Sequence, residues 1–348
     1  MANIPPCIAL TRYLAQSQDW PDNVEIRVMA YHSQQVLLLR HEQERHLDEV
    51  LTRDQTTAVF GKPLIRRHID RCQPDNLIFI LVATPVEEVG RDHDFDWAVV
   101  EPSSYRSIIQ LAGRVLRHRS QTPKAPNIGL LQFNLKALLQ GEDKPAFSRP
   151  GFESPRQRLA THDLKRLIPT EQLQAITAAP RIQSNAELRP TENLADLEHH
   201  CIQNLLTSYG KQGPESLQGW LTECWWLTAL PQHLTPFRRQ DKQRTLFDLP
   251  DEKADWLFVE KLPQGGTNTV ESNCKIERVE LSELERERWW LYRDYAELLE
   301  RHAEKNGWSQ TDTALRYGEI NVRIDDNDLL TGECYVFAYC QQLGFWKQ

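Results

Sequence analysis

The chain has 348 residues, a formal net charge of −8, 40% apolar residues and 26% charged ones. That length exceeds what a single core usually organises, so two domains with a connector are expected. No run of about 18 apolar residues occurs, which excludes a membrane-spanning helix.

The opening "MANIPPCIALTRYLAQ" lacks a basic leader and a small-residue cleavage site, so it does not read as a signal peptide. Ile4, Ile8, Leu10 and Leu14 predict a helix there. "VEIRVMAY" (Val24–Tyr31) reads as a strand, Val36–Leu51 as a helix charged on one face, and "PLIRRHIDRC" (Pro63–Cys72) as a basic helix able to lie along phosphates. "NLIFILVAT" (Asn76–Thr84) is a continuous apolar run, expected as a strand buried on both faces. Phe95–Pro102 predicts another strand, Ser104–Leu116 a helix and Asn127–Phe133 a further strand. Alternation of this kind argues an α/β fold with a parallel sheet covered by helices.

After Phe133 the character changes. Leu138–Leu159 is rich in Pro, Gly and charge and reads as linker. Further on, Trp220, Trp225 and Trp226 precede a basic stretch, Arg238 to Arg244, and Trp289, Trp290 and Tyr292 follow. Aromatics among arginines either stack on single-stranded bases or form a core with a solvated edge. The seven cysteines are scattered without a C-x-x-C pair, which suits a reducing cytoplasm better than a disulfide framework. His199 and His200 are adjacent and cannot face one site on a helix, so no metal site is assigned.

In parallel sheets, ligands gather at the carboxyl ends of strands and in the loops that follow. Two segments fall there: "VATPVEEVGRDHDFD" (Val82–Asp96), and "IIQLAGRVLRHR" (Ile108–Arg119) after the next strand. A glycine such as Gly90 lets a ligand approach the backbone. Asp92 can accept hydrogen bonds from ribose hydroxyls. On a helix, Arg114 and Arg117 at i, i+3 share a face able to clamp a polyphosphate, and Gln110 lies four residues before Arg114 on that face. Arg119 points elsewhere and is expected to make a surface or DNA contact.

These two segments, "TPVEEVGRDHDFD" and "QLAGRVLRHR", resemble motifs V and VI of superfamily-two helicases. The strings "MANIPP", "MAYHSQQVLLLRHEQERHLD", "EPSSYRSIIQLAGRVLRHR" and "RPGFESPRQRLATHDL" resemble the CRISPR-associated helicase–nuclease of type I-F systems. The resemblance implies a second RecA-like domain over 1–140 whose first strand lies outside this sequence. A linker over 141–200 and a mainly α C-terminal domain over 201–348 follow. It implies that Arg114 and Arg117 are an arginine-finger pair and that Gln110 positions nucleotide or water. Gly90 and Asp92 would touch ribose and Thr84 a DNA phosphate. Arg91 would serve DNA or an ion pair with Glu87 or Glu88, while His32 and Ser33 would contact the strand backbone.

No G-x-x-x-x-G-K-[ST], DExH box or His-Asp nuclease signature occurs in the chain. ATP and Mg are therefore expected to be shared with a first RecA-like domain, and this chain by itself is expected to be inactive. The implied partners are single-stranded DNA, a crRNA-guided surveillance complex, an adaptation integrase and the N-terminal helicase–nuclease portion, with no membrane, in the cytoplasm. The alternatives are a non-enzymatic docking module for the surveillance complex or integrase, and part of a restriction or repair motor.

Overall fold

The computed structural model describes residues 1–53, 58–88, 92–119, 122–148, 151–207, 212–234, 243–250, 256–270, 275–323 and 336–347. Helix α1 (Ile4–Gln16) starts with Pro5 and Pro6 in its first turn, where the missing N–H groups have no helical partner to lose. It buries Cys7, Ile8, Thr11 and Ala15. Strand β1 (Val24–Tyr31) pairs in parallel with β2 (Asn76–Ala83), in register from Val24 opposite Asn76 to Tyr31 opposite Ala83. Helices α2 (Leu37–Leu51) and α3 (Pro63–Arg71) lie between them in sequence. A second parallel pair follows: β3 (Ala98–Val100) beside β4 (Ile128–Leu130). Helix α4 (Tyr105–Ala112) connects these strands, its first turn capped by Ser104, whose hydroxyl accepts from the Ser107 amide.

The α/β class expected from the sequence is what the chain adopts, but the parallel sheet is only partly visible, as these two pairs. Accordingly, β2 departs from the expectation of burial on both faces: Leu77 to Leu81 are only half-buried. The physical reason is that β2 has a strand partner along one edge only among the described residues.

The stretch read as linker carries packing of its own. After α5 (Leu135–Gln140) come the short helices α6 (Leu164–Leu167), α7 (Thr170–Gln174) and α8 (Ala179–Ile182), then α9 (Leu194–Leu206). Phe147, Leu159, Leu164, Leu167, Ile168, Leu194 and Leu197 form a core with Tyr105 and Ile108 of α4. Glu153, 3% exposed, organises that turn by accepting from the amides of Ala146 and Phe147 at 2.8 and 3.0 Å and from His162 Nε2 at 3.0 Å. Proline and charge marked the loop surface, whereas its widely spaced apolar residues supply the core.

Helices α10 (Leu217–Thr222) and α11 (Leu230–Leu234) precede a region that is mixed rather than mainly helical. Strands β5 (Gln243–Pro250), β6 (Trp256–Lys261) and β7 (Thr267–Thr269) join β9 (Glu319–Arg323) in a sheet ordered β7-β6-β5-β9. Strands β8 (Lys275–Arg278), β10 (Val336–Cys340) and β11 (Gly344–Lys347) make a second, ordered β11-β10-β8. Helices α12 (Glu283–Glu287), α13 (Tyr295–Asn306) and α14 (Gln310–Tyr317) complete it. Helix α13 ends at Gly307 with φ +66, a left-handed cap that glycine adopts without strain.

This region packs on the N-terminal one. Val36, Leu38 and Leu39 share a core with Phe247, Phe258, Leu299, Ile320 and Phe345. Burying each such side chain contributes roughly 1.5–3 kcal/mol. The wholly buried Arg293 fastens the junction by donating to the Leu39 carbonyl at 3.1 Å, to Gln43 Oε1 at 2.5 Å and to the Gln342 carbonyl at 2.9 Å.

Candidate functional site

The two segments singled out in the sequence do meet, though not as a helix face. After β2, the Glu87 amide donates to the Thr84 carbonyl at 3.1 Å and a 3-10 turn, Pro85–Glu88, buries both glutamates. Helix α4 ends at Ala112, not Leu116. Residues 114–119 instead fold back along 92–96: Phe95 donates to the Arg114 carbonyl at 2.8 Å and accepts from the Leu116 amide at 2.9 Å. Leu116 takes φ +53, a left-handed conformation that costs a non-glycine residue roughly 1–2 kcal/mol. The turn overrides helical spacing, so Arg114 and Arg117 do not share a face.

Three arginines therefore have three environments. Arg114 is only 5% exposed and donates to the Glu88 carbonyl at 3.1 Å, which corrects the expectation of an open guanidinium. Burial pushes the neighbouring Glu88 carboxyl up from its ordinary value. Arg119 is likewise inward, with a 9% exposed side chain. Its Nε and Nη2 lie 3.0 and 2.8 Å from the Asp94 carboxylate, Nη1 reaches Asp96 at 2.5 Å, and Nη2 donates to the Phe95 carbonyl. It is an internal clamp and not the surface or DNA contact expected. Only Arg117 keeps a substantial open surface, its side chain 42% exposed and its Nε 2.8 Å from Asp92 Oδ1. The same oxygen meets His118 Nε2 at 3.0 Å, and that contact above all holds the Asp92 carboxyl below its ordinary value.

The other predicted residues separate in the same way. Gln110 is half-buried, and its Oε1 is buried without a hydrogen bond among the described residues. Thr84 is 6% exposed and continues the β2 ladder by donating its amide to the Tyr31 carbonyl. His32 is fully buried, which removes it from any strand-backbone contact, whereas Ser33 beside it is exposed. Gly90 and Arg91 lie outside the described residues. A nucleotide-facing role needs an accessible side chain, which Arg117 keeps, whereas the Gln110 Oε1 is buried. Arg114 and Arg119 do not fit one without leaving their carbonyl and carboxylate partners.

Sequence reasoning missed the acidic half of this arrangement. The alternating carboxylates of "DHDFD" are shared out: Asp92 holds Arg117 and His118, Asp94 and Asp96 hold Arg119, and Asp96 also holds Arg53 at 2.9 Å. Between them His93, fully buried, lies 2.7 Å from Glu87 and 3.0 Å from Asp48. The usable signal was the D-x-D-x-D alternation of Asp92, Asp94 and Asp96 opposite the basic run Arg114–Arg119.

His32 illustrates how a motif residue becomes a support. Its Nδ1 accepts from the Gln34 amide at 3.2 Å, and its Nε2 donates to the Leu343 carbonyl at 2.7 Å, which uses both nitrogens of the neutral ring. Burial lowers its pKa to about 4. The unfolded ring, near 6.5, gains a proton that the folded one refuses, so stability is full above pH 6.5 and falls as pH drops towards 4. The loss is roughly 3 kcal/mol. Urea midpoints measured from pH 7 to 4 are expected to fall less steeply for His32→Gln than for the native chain. Across the contact, Gly344 has φ +83, and a Cβ there would overlap the Gln34 carbonyl oxygen and press the His32 ring. Gly344→Ala is expected to destabilise by about 2–3 kcal/mol, read from the same midpoints.

Residues 1–120 match a family profile described as "CRISPR-associated nuclease/helicase Cas3, C-terminal". Along its whole length the chain is 38% identical to the CRISPR-associated nuclease/helicase Cas3 subtype I-F/YPEST of Pseudomonas aeruginosa (strain UCBPP-PA14), covering 31% of that protein. The chain is thus similar, over its whole length, to the C-terminal part of Cas3 proteins of subtype I-F. The Pectobacterium atrosepticum Cas3 of the same subtype is 36% identical over 94% of the chain, which covers 30% of it. The chain thus spans about a third of the length of the Cas3 relatives it matches. A crystal structure titled T. fusca Cas3-ATP overlaps 99% of the chain and 38% of its own at 14% identity, with a TM-score of 0.48. Among the described residues, no helix is long and apolar enough to cross a membrane.

Proposed function

We propose that the chain supplies the second motor lobe and the C-terminal region of an ATP-dependent single-stranded DNA translocase that feeds a nuclease during CRISPR interference. The observation that carries this reading is Arg117. It is the one arginine of the 114–119 run left half-open, and the strained turn at Leu116 aims it away from its own helix. Strain retained at such a point accords with function. ATP with Mg, shared with a first lobe, supplies the phosphoryl bond whose hydrolysis drives movement. Arg117 leaves exposed Asp92 to neutralise charge on the transferring phosphoryl group. Gln110, once its buried amide turns outward, positions nucleotide or the attacking water, while Gly90 and the released Asp92 border the ribose. Arg114 and Arg119 are positioning residues that hold the two segments together. Ser33 and Arg91 contact the DNA strand.

The surveillance complex and the adaptation integrase are the partners of this assembly. A docking role without catalysis is the second reading, favoured by Leu221, Trp226 and Leu227, which are 56%, 52% and 69% exposed. When the chain is joined to the preceding part of a Cas3 relative, ATP turnover stimulated by single-stranded DNA is expected. An assembled protein that binds single strands but never turns over ATP would favour docking and overturn the motor reading.

A further inference from the structure

The loop joining β1 to α2, residues 32–36, is gripped by the turn between β10 and β11. His32 Nε2 donates to the Leu343 carbonyl at 2.7 Å and Gln35 Nε2 to the Gln342 carbonyl at 3.2 Å, across 311 and 307 positions of sequence. In return the Phe345 amide donates to the Gln34 carbonyl at 2.8 Å. Ser33 lies between these ties and is the exposed residue of the loop. Its carbonyl accepts from Arg40 of α2 at 3.2 Å. Residues 32, 34 and 35 follow the turn, and Ser33 is carried with them.

A reciprocal pair fixes the turn itself. Gln342, 1% exposed, accepts from the Arg293 amide at 3.1 Å through Oε1 and donates to the Arg293 carbonyl at 2.5 Å through Nε2. The Gln342 carbonyl takes both Arg293 Nη2 and Gln35 Nε2. Arg293 also reaches α2 through Gln43 Oε1, and Gln43 Nε2 donates to the Ala30 carbonyl near the end of β1 at 2.8 Å. Gln35 Nε2 meets the same Ala30 carbonyl at 3.4 Å, which closes a ring of bonds under the loop. Every member of the ring is buried. Packing alone would be met by an apolar residue at position 293. What the guanidinium adds is a fixed fork of donors, and a connected buried network of this kind specifies one geometry.

We propose that the β10–β11 turn is the positioning element of the strand-contacting loop, with Gln342 and Arg293 as positioning residues that set the affinity for single-stranded DNA without touching it. The strand contact of Ser33 itself rests on the motor reading. Among the described residues, neither Gln342 nor Arg293 bonds to the segments that carry Gln110 and Arg117, so the nucleotide side is left as it is.

The test uses the chain joined to the preceding part of a Cas3 relative, with oligothymidine as the strand. Gln342→Met keeps the volume and removes every side-chain hydrogen bond of the residue. The oligothymidine concentration that half-saturates ATP turnover is expected to rise about tenfold, with turnover at saturation within about twofold of native. Gln342→Glu keeps the acceptor for Arg293 and gives it a carboxylate partner, so it is expected to restore the native concentration. A merely structural role would lower saturated turnover along with the folded fraction and leave the half-saturating concentration unchanged. That outcome, or a Glu variant no better than the Met one, overturns the proposal. If Gln342→Met does not fold, Gln35→Met, which cuts the side-chain link of the loop to the turn and leaves Arg293 and Gln342 in place, carries the same comparison. Oligothymidine binding without ATP turnover, read by anisotropy, removes the motor reading alone. A native Kd in Gln342→Met then overturns the proposal, and a weakened Kd restored in Gln342→Glu upholds it.

Discussion

Arg117→Ala, placed in a full-length Cas3 context, is expected to reduce single-strand-stimulated ATP turnover about 10³-fold while leaving folding and strand binding near native. The effect on folding is small because Arg117 contributes a half-exposed side chain and an ion pair to Asp92, itself 62% exposed. Such exposed pairs are screened by solvent and contribute little to stability. Its backbone amide, which donates to Asp94 at 3.1 Å, is untouched by the substitution. The effect on turnover is large because a guanidinium next to a transferring phosphoryl group acts where charge is spread and water excluded. Steady-state phosphate release at saturating ATP and single-stranded DNA, beside anisotropy of a labelled oligonucleotide, separates the two. Turnover within tenfold of native, with binding intact, would remove the arginine-finger role from this residue.

Asp94→Ala is expected to act on stability instead, by about 3–5 kcal/mol, the scale of breaking a buried ion pair from one side. Asp94 is fully buried and accepts from the amides of Arg117 and His118 at 3.1 and 3.2 Å as well as from the Arg119 guanidinium. Its removal leaves Arg119, 9% exposed, with only Asp96 and the Phe95 carbonyl, and frees the turn that orients Arg117. Urea denaturation should show a lower midpoint at unchanged slope. The paired variant Asp94→Ala with Arg119→Met should recover part of the loss, because no buried charge is then left without its partner. If the double variant is no more stable than the single, the amide contacts of Asp94 dominate over the charge pair.

The elements in sequence order were legible because their signals are local. Alternating strand and helix patterns located β1, β2, β3 and α4 to within a few residues, and "NLIFILVA" declared itself a strand by continuous apolarity. The resemblance to Cas3 was also legible, carried by whole strings such as "QLAGRVLRHR" whose residue order needs no fold to be read. The C-terminal sheets were not. Most of their strands are short, and two of the pairings, β5 with β9 and β8 with β10, join strands distant in sequence, so nothing local marks them.

Only the tertiary structure decided which arginine is open. The sequence places Arg114, Arg117 and Arg119 within six residues and, by helical spacing, directs the first two to one face and the third elsewhere. The chain ends α4 at Ala112 and folds back on Phe95, and from that point partners set direction in place of the 3.6-residue period. Arg114 turns in to Glu88 and Arg119 to Asp94 and Asp96, because buried carbonyls and carboxylates there need donors. Arg117 stays half-open because Asp92, its partner, is itself on the surface. A sequence fixes residue types and their local periods; exposure depends on which segments meet across the fold, and that is a property of the packed chain.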